Sequence, residues 1–556
     1  MTDVLIIGGG IVGNLAAAWF RRHMPALHVT VVEPTDQTLP VVGESLVEFS
    51  TLFMQEVGLG RHLVEQQLPK YGLSFYYKLD PAVPGDSRYV VDAVPTHPPL
   101  PSFLINRFSF DEALRRLNQG NGVEYVDGRA TRIDFGSGAP HPPHRVTVQR
   151  SDGTERTCPA QWLVDATGRR RLLARRLGLS CGVSHQRSSF WFRLADFDAA
   201  ILDRIDAVTE GVHPADTYYT AHHFFGRGNW VWLLPMRDEG GRRLISVGLT
   251  YRPDLFPDRV TSIPEFLDQA AREHPILGDF VRSGTVIDTN LYRNYMYGTR
   301  RRYSSRGWFL IGDAADTVDP LYSSGLALAV MAIQQVGAMI RRDREGGLTD
   351  ELVGNLEKAY AGFHQLAGSQ VARLYDVMHD GYQCHLRMHL HVTTIFHMAM
   401  PLFFRGYHTD AVGAAMMARL GRTDGALARQ LADFEPLIAE AARRSAASKR
   451  RFIKVQSTFA MNYAWFEHRR DDAIPRSLSQ MFLHMAGMRL RLMWIAGARW
   501  WLHPGHVGGL LKPLVWTLIV GLLGKRSLKR SGLVRRLFAA APKPIALPGS
   551  RAEFTQ

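Results

Sequence analysis

Cysteine is scarce: Cys158, Cys181 and Cys384 are the only three in 556 residues, and no two form a CxxC pair. That excludes a disulfide framework and leads us to expect a reducing compartment, the cytoplasm. Long apolar runs are missing too. None reaches the roughly 18 to 20 residues that span a bilayer. The nearest, Leu510 to Gly524, is shorter and is broken by Lys512 and Pro513. At the start, no basic region precedes the apolar run Val4 to Ile7, which leads straight into glycines, so no secretory leader is expected. Acidic residues are outnumbered, 52 against 66 lysines and arginines, for a net charge of +14. Between Lys525 and Arg536 stand six basic residues and no acidic one. Such a stretch suits anionic lipid, an acidic carrier protein, nucleic acid or plain solvent. A nucleic-acid partner is not expected. No internal repeat, no low-complexity tract and no HExxH metal motif is present.

What is present reads as a globular chain, with 46% hydrophobic and 21% charged residues. Val4 to Ile7 has the pattern of a buried strand, Gly13 to Arg22 of a helix, and Val29 to Val32 of a second strand closing on Glu33. Gly8, Gly10 and Gly13 fit GxGxxG in that strand-to-helix context. The first makes a tight turn, the second lets a pyrophosphate approach the backbone, and the third lets helix and strand pack closely. Glu33 lies where an acidic residue would bind a ribose hydroxyl. Residues 123 to 149 alternate as strands around a turn at 136 to 144, and Trp162 to Val164 reads as another buried strand. Between about 188 and 292, strands at Phe190–Leu194, Asn229–Leu234 and Arg243–Thr250 suggest an antiparallel sheet. From Ala327 onward the pattern is helical.

A second signal selects FAD over a nicotinamide cofactor. The strand Trp308 to Ile311 precedes Gly312-Asp313, whose aspartate can hold a ribityl chain. With Asp165-Ala166-Thr167-Gly168 as a middle motif, the chain resembles the glutathione-reductase-type flavoproteins. That resemblance places Arg107 and Pro320 beside the flavin. The fold class it implies is α/β: a Rossmann-like FAD-binding domain, an inserted antiparallel β-sheet and a helical C-terminal region. The corresponding segments are 1–187 and 294–349 for the FAD domain, 188–293 for the inserted sheet, 350–538 for the helices and 539–556 for a tail.

Within that superfamily three segments resemble the flavin-dependent halogenases, most closely those acting on phenols and pyrroles. Gly43-Glu44-Ser45 matches their early cofactor motif. Trp230, Trp232 and Pro235 match WxWxIP with Leu234 for isoleucine, which puts both tryptophans by the tunnel and substrate pocket. Asp319-Pro320-Leu321-Tyr322-Ser323-Ser324-Gly325 resembles the loop bordering the halide, with Ser324 and Gly325 as halide contacts and Tyr322 on the substrate side. A phenylalanine usual in that loop is Thr317 here. In this family reduced flavin, dioxygen and a halide yield hypohalous acid, which crosses a tunnel to a lysine. Lys70 resembles that lysine in context, and Lys78 competes with poorer spacing. Tyr322 stands where tryptophan halogenases carry a glutamate, which favours a phenolic or other electron-rich substrate over free tryptophan.

The resemblance implies a two-component FAD-dependent halogenase of specialised or antibiotic biosynthesis. FADH2 would come from a separate flavin reductase, with chloride or bromide and O2 as co-substrates. The aromatic substrate would be free or held on an acyl carrier protein. The alternatives are an FAD-dependent aromatic monooxygenase, a flavin-dependent reductase of a membrane lipid, and a flavin-binding scaffold without catalysis. Two features stand apart from these motifs. His379, His385, His389, His391 and His397 crowd one helical stretch, suiting a core, a cavity wall or, less well, a metal; no metal is expected. Trp494, Trp500, Trp501 and Trp516 alternate with Arg489, Arg491, Arg499 and Lys512, as at a membrane boundary or a protein contact. Peripheral contact with the inner face of the membrane is one expectation from them.

Overall fold

A computed structural model describes residues 2–34, 41–78, 88–93, 100–136, 143–207, 218–420, 422, 426–447, 473–497, 508, 510, 511 and 515. The basic segment from Lys525, the tail, and Trp500, Trp501, Trp516, Arg499 and Lys512 lie outside them.

The central strands of the first sheet, Thr2–Ile7 and Val29–Glu33, are apolar on both sides, as a parallel sheet covered on both faces requires. Thr2–Ile7, Val29–Glu33 and Glu124–Asp127 run parallel, and the helix Ile11–His23 makes the crossover between the first two. The strand Glu155–Asp165 is divided in role. Its first half pairs antiparallel with His144–Gln149, while its second half runs parallel to Thr2–Ile7 and to Trp308–Leu310. The register aligns Ile7, Asp165 and Leu310. Three strands that are distant in sequence therefore end together, and the loops at Gly8, Ala166 and Gly312 open on one edge. Ligands of α/β sheets bind beyond such carboxyl ends.

The second sheet has eight strands. Ser188–Ala195, Ala221–Phe225, Asn229–Arg237, Arg243–Tyr251 and Thr285–Tyr292 come from the segment expected to form it. Leu73–Lys78 and Arg88–Ala93 lie upstream, and the first of these pairs parallel with Ala221–Phe225. The sheet thus reaches back past residue 188, because the alternation in Phe75-Tyr76-Tyr77 needs two covered faces. Tyr76 packs on one side with Phe224 and Phe266, and Tyr77 on the other with Phe225 and Trp230.

The C-terminal helices share a core with the first sheet. One apolar cluster runs from Val4 through Ile333 and Phe403 to Ala496. Phe49, in the helix Glu48–Glu56, stacks on Phe404 at 5.4 Å and meets Phe403 edge-on at 4.8 Å. The helix Ser324–Arg344 is, among the described residues, long and apolar enough to cross a membrane, yet the fold buries most of it.

That helix touches the first one closely at Gly337, where a Cβ would strike the Trp19 ring. Trp19 is itself held by stacking on His23 at 4.4 Å. Gly337→Ala is expected to cost about 1–3 kcal/mol by overpacking, read as a lower urea midpoint with an unchanged slope. A midpoint equal to wild type would show the two helices to be loosely apposed.

Candidate active site

Gly8 adopts φ +105°, a conformation that favours glycine, and a Cβ there would strike the Ala166 carbonyl. At Gly13 a Cβ would strike the Gly8 carbonyl, whereas at Gly10 it would meet nothing within 4 Å. Gly10 therefore faces open space at the start of the helix Ile11–His23. No side chain caps this end and no acidic residue occupies its first turn, so its N–H groups are available to a pyrophosphate. Glu33 closes the second strand and is paired with Arg115, whose guanidinium lies 4.4 Å from the Tyr125 ring centre.

Asp165 takes a role different from the expected one. One oxygen accepts from the Thr167 amide at 2.9 Å and hydroxyl at 2.7 Å, the other from the Leu173 amide at 2.7 Å. Both oxygens of this buried carboxylate are engaged by its own chain, so it shapes the loop under Gly8 instead of reaching a cofactor. Asp313 does the opposite. It is exposed at the end of the third parallel strand, yet it lies deep in the fold. Desolvation raises its pKa to about 6 against the pull of Arg169 and Arg107. Surface access combined with desolvation marks a carboxyl on a cleft wall. Arg169, which the sequence reading missed, lies 3.9 Å from the Tyr292 ring centre.

Arg107 begins the helix Arg107–Gly120, capped by Asn106. Its guanidinium makes a two-pronged pair with Asp111 at 2.9 and 2.7 Å and donates to the Val42 carbonyl. It thereby clamps the turn at Gly43, which has φ +102° and whose Cβ would come within 2.9 Å of the guanidinium. In Gly43-Glu44-Ser45 the Glu44 side chain is buried and the half-buried Ser45 hydroxyl accepts from Lys70. Glu44 is buried against Ser246, which in turn accepts from the Trp232 indole at 3.2 Å. Burial pushes its pKa up to about 7, opposed by Ser246, Arg193 and Arg107.

Ser45 leads directly to Lys70. The Lys70 ammonium donates to the Ser45 hydroxyl at 3.2 Å and to the Leu46 carbonyl. Its backbone is fixed by the short pairing of Leu68–Pro69 with Phe103–Leu104 and by the bond from its amide to the Ser102 carbonyl at 2.8 Å. The residue is buried, and desolvation lowers its pKa to about 8 against the opposing pull of Glu48. Lys78 lies on the other face of its strand, with Tyr76, near His274.

The halide-loop segment is anchored by a network spanning four elements. Buried Asp319 accepts from Arg187 at 2.7 Å, from the Tyr375 hydroxyl at 2.9 Å and from the Leu321 amide at 3.1 Å. Tyr375 accepts from the Trp230 indole at 2.8 Å. Trp230 and Trp232 are thus core residues hydrogen-bonded behind the loop, not exposed walls of a substrate pocket. Pro320 is exposed on the short 3-10 turn Pro320–Tyr322. Ser323 has φ +53°, a left-handed step into the helix Ser324–Arg344. The half-exposed Ser324 and exposed Gly325 supply its first N–H groups, an anion-binding concavity. Thr317 uses its hydroxyl on Tyr297, accepting from the amide at 2.8 Å and donating to the carbonyl at 3.2 Å. Arg187, Asp319 and Tyr375 carried no local signal of this network.

The histidines diverge. His385 pairs with Asp92, His389 with His484, and His391 with the Tyr322 hydroxyl at 2.8 Å. Each ties the helix Gly381–Thr394 to a different neighbour, so His385 and His389 do not converge on one point.

Comparison with known proteins gives the chain's relatives. The model of the FAD-binding-domain family matches residues 1–347. The flavin-dependent halogenase chlA of Dictyostelium discoideum is 26% identical over 436 residues, covering 73% of this chain and 71% of that protein. The pyrrole-2-carbonyl peptidyl-carrier-protein chlorinase of Pseudomonas fluorescens is 26% identical over 352 residues, covering 59% and 73%. Among solved structures, halogenase PltM with phloroglucinol and FAD superposes with a TM-score of 0.64 at 17% identity, covering 87% of this chain and 96% of that one.

The Lys70 environment carries an energetic signature. Its pKa is about 8 when folded and about 10.5 when unfolded, so the unfolded chain binds more protons between those values and stability rises with pH there. The cost at pH 7 is about 3 kcal/mol. Lys70→Met is expected to be the more stable protein at pH 7, by up to that amount. In urea melts its advantage should shrink as pH climbs from about 8 to 10.5. An advantage that does not change with pH would mean the ammonium is solvated.

Proposed function

The chain belongs to the FAD-binding-domain family, and within it to the flavin-dependent halogenases; from that membership we propose that it transfers chlorine or bromine to an electron-rich aromatic compound. The observation that supports this most is the position of Lys70. A buried lysine is hydrogen-bonded to Ser45, which follows Glu44 directly and lies two residues after the clamped turn at Gly43. Gly8, Gly10, Gly13, Glu33, Gly43, Arg107, Gly312 and Asp313 would hold FAD. Their fit rests on the open space at Gly10 and on Asp313 at the cleft wall. Bound reduced FAD, with dioxygen and a halide, supplies hypohalous acid.

The chain's residues then have separate tasks. The N–H groups of Ser324 and Gly325 hold the halide. Lys70 receives the oxidant. As a neutral amine its nitrogen forms a bond to halogen while the O–halogen bond breaks and water leaves. The halogen then passes to an aromatic carbon, the ring loses its proton, and the amine is restored. With a pKa near 8, the neutral form is available at a pH where an ordinary lysine has almost none. The Trp230 and Trp232 strand excludes water from the path, which would otherwise consume the oxidant.

Tyr322 offers no carboxylate to stabilise charge on an indole, so we favour a phenol or pyrrole, which supplies its own electron density. A carrier-bound substrate fits the peptidyl-carrier-protein relatives. A separate flavin reductase is the expected source of FADH2.

The test is mass spectrometry of products formed from reduced FAD, O2 and chloride or bromide with free and carrier-bound phenols and pyrroles. A halogen isotope pattern is expected. Lys70→Ala should lower halogenated product by about 100-fold or more while FAD binding, followed by flavin fluorescence, stays within a few-fold of wild type. Hydroxylated product without halogen, undiminished in Lys70→Ala, would make the protein a monooxygenase.

A further inference from the structure

The helix Ala473–Ala496 breaks the usual rule for a surface helix. Its inner face places Leu478, Met481, Met485, Met488, Leu492 and Met493 in the core. Its outer face should then be polar, but it is not. Leu483 is 40% exposed, Leu490 42% and Trp494 78%. Gln480, Gly487 and Arg491, also exposed, complete the outward stripe at helical spacing. The helix contains no acidic residue at all. Leu511 and Val515, four apart, are likewise exposed. Arg489, expected from sequence to share the outer face, is buried over the Phe434 ring at 4.3 Å, which leaves the stripe more apolar still.

We propose that this face docks on an anionic lipid bilayer. Two observations select that occupant. The stripe is led by a largely exposed tryptophan, the side chain that favours the boundary between headgroups and acyl chains. The sequence that follows carries charge of one sign: from Arg499 to Gln556 there are ten basic residues and one acidic, Glu553. An apolar stripe followed in sequence by a cationic segment supplies both parts of peripheral binding, insertion and attraction to anionic headgroups. A second copy of this chain would bring like charges together, and an acidic carrier protein would leave the tryptophan and leucines without an apolar partner. Docking would hold the enzyme at the inner face of the membrane, where apolar aromatic substrates concentrate.

Cosedimentation of the full-length protein with vesicles tests this. Phosphatidylglycerol vesicles should bind it, phosphatidylcholine vesicles much less, and about 0.5 M salt should release most of it. The variant Leu483→Ser, Leu490→Ser, Trp494→Ser should partition at least about tenfold more weakly. Because these side chains are exposed, its Tm and its turnover of a soluble phenol should stay at wild-type values. No binding to either vesicle overturns the proposal. So does a variant that binds as wild type, or a size-exclusion shift from dimer to monomer in the variant without vesicle binding, which would assign the face to a second copy. Carrier-protein binding lost in the variant, without vesicle binding, also overturns it.

Discussion

The buried pair of Arg187 and Asp319 sets the geometry on which the rest of the site depends. Removing both charges from water is costly, and the cost is recovered only where every remaining lone pair is satisfied. Here Asp319 receives a guanidinium, a phenol and an amide, and the guanidinium also lies 4.1 Å from the Tyr375 ring centre. Such a network tolerates little displacement. It joins the loop before the helix Ser324–Arg344 to the start of the second sheet, to the helix Asp350–Leu374 and, through Tyr375, to Trp230. The anion-binding N–H groups and the tryptophan strand are therefore held in one fixed relation. Fixed donors aimed at a charge stabilise it better than donors that must first reorganise.

A second constraint operates across the sheet edge. Lys70, Glu44 and Asp313 are ionisable groups displaced from their ordinary pKa by the same cause, desolvation. Clustering of such shifts in one region is the pattern of a reaction site. Each is placed by an ordinary structural device: a two-residue strand pairing, a turn clamped by Arg107, and the end of a parallel strand. The site's chemistry comes from where ordinary elements end.

How much of this could be read beforehand depends on the range of the interaction. The glycine turn, the strands at its flanks and Gly312-Asp313 were legible because each is a local pattern with a steric reason. Lys70 and Gly43-Glu44-Ser45 were legible as separate words of a resemblance. That Lys70 hydrogen-bonds Ser45 was not, since nothing local links residues 25 apart. The role of Asp319 was invisible for the same reason: its partner Arg187 lies 132 residues away. Asp165 misled because a motif aspartate can serve its own loop as readily as a ligand. The tryptophan pair misled in part. Alternation placed both indoles on one face of the strand, but only the partners Tyr375 and Ser246 show that this face is sealed core. The extent of the second sheet was missed because Leu73–Lys78 joins it by parallel pairing, which leaves no hairpin signature.

The helical region takes part in the site, and its histidines show how. His391 holds Tyr322 on the loop, and His385 holds Asp92 on the second sheet, each from the same helix, Gly381–Thr394. Burial lowers the His391 pKa to about 3, so the contact to Tyr322 is a neutral hydrogen bond whose strength does not vary across the physiological range. Neutral histidines are well suited to this position. A lysine or carboxylate there would bring a charge against the Tyr322 hydroxyl, just ahead of the helix Ser324–Arg344. An apolar residue would leave the Tyr322 hydroxyl buried and unpaired, at a cost of about 1–3 kcal/mol. The contact from this helix to the Tyr322 loop is therefore made by an uncharged group.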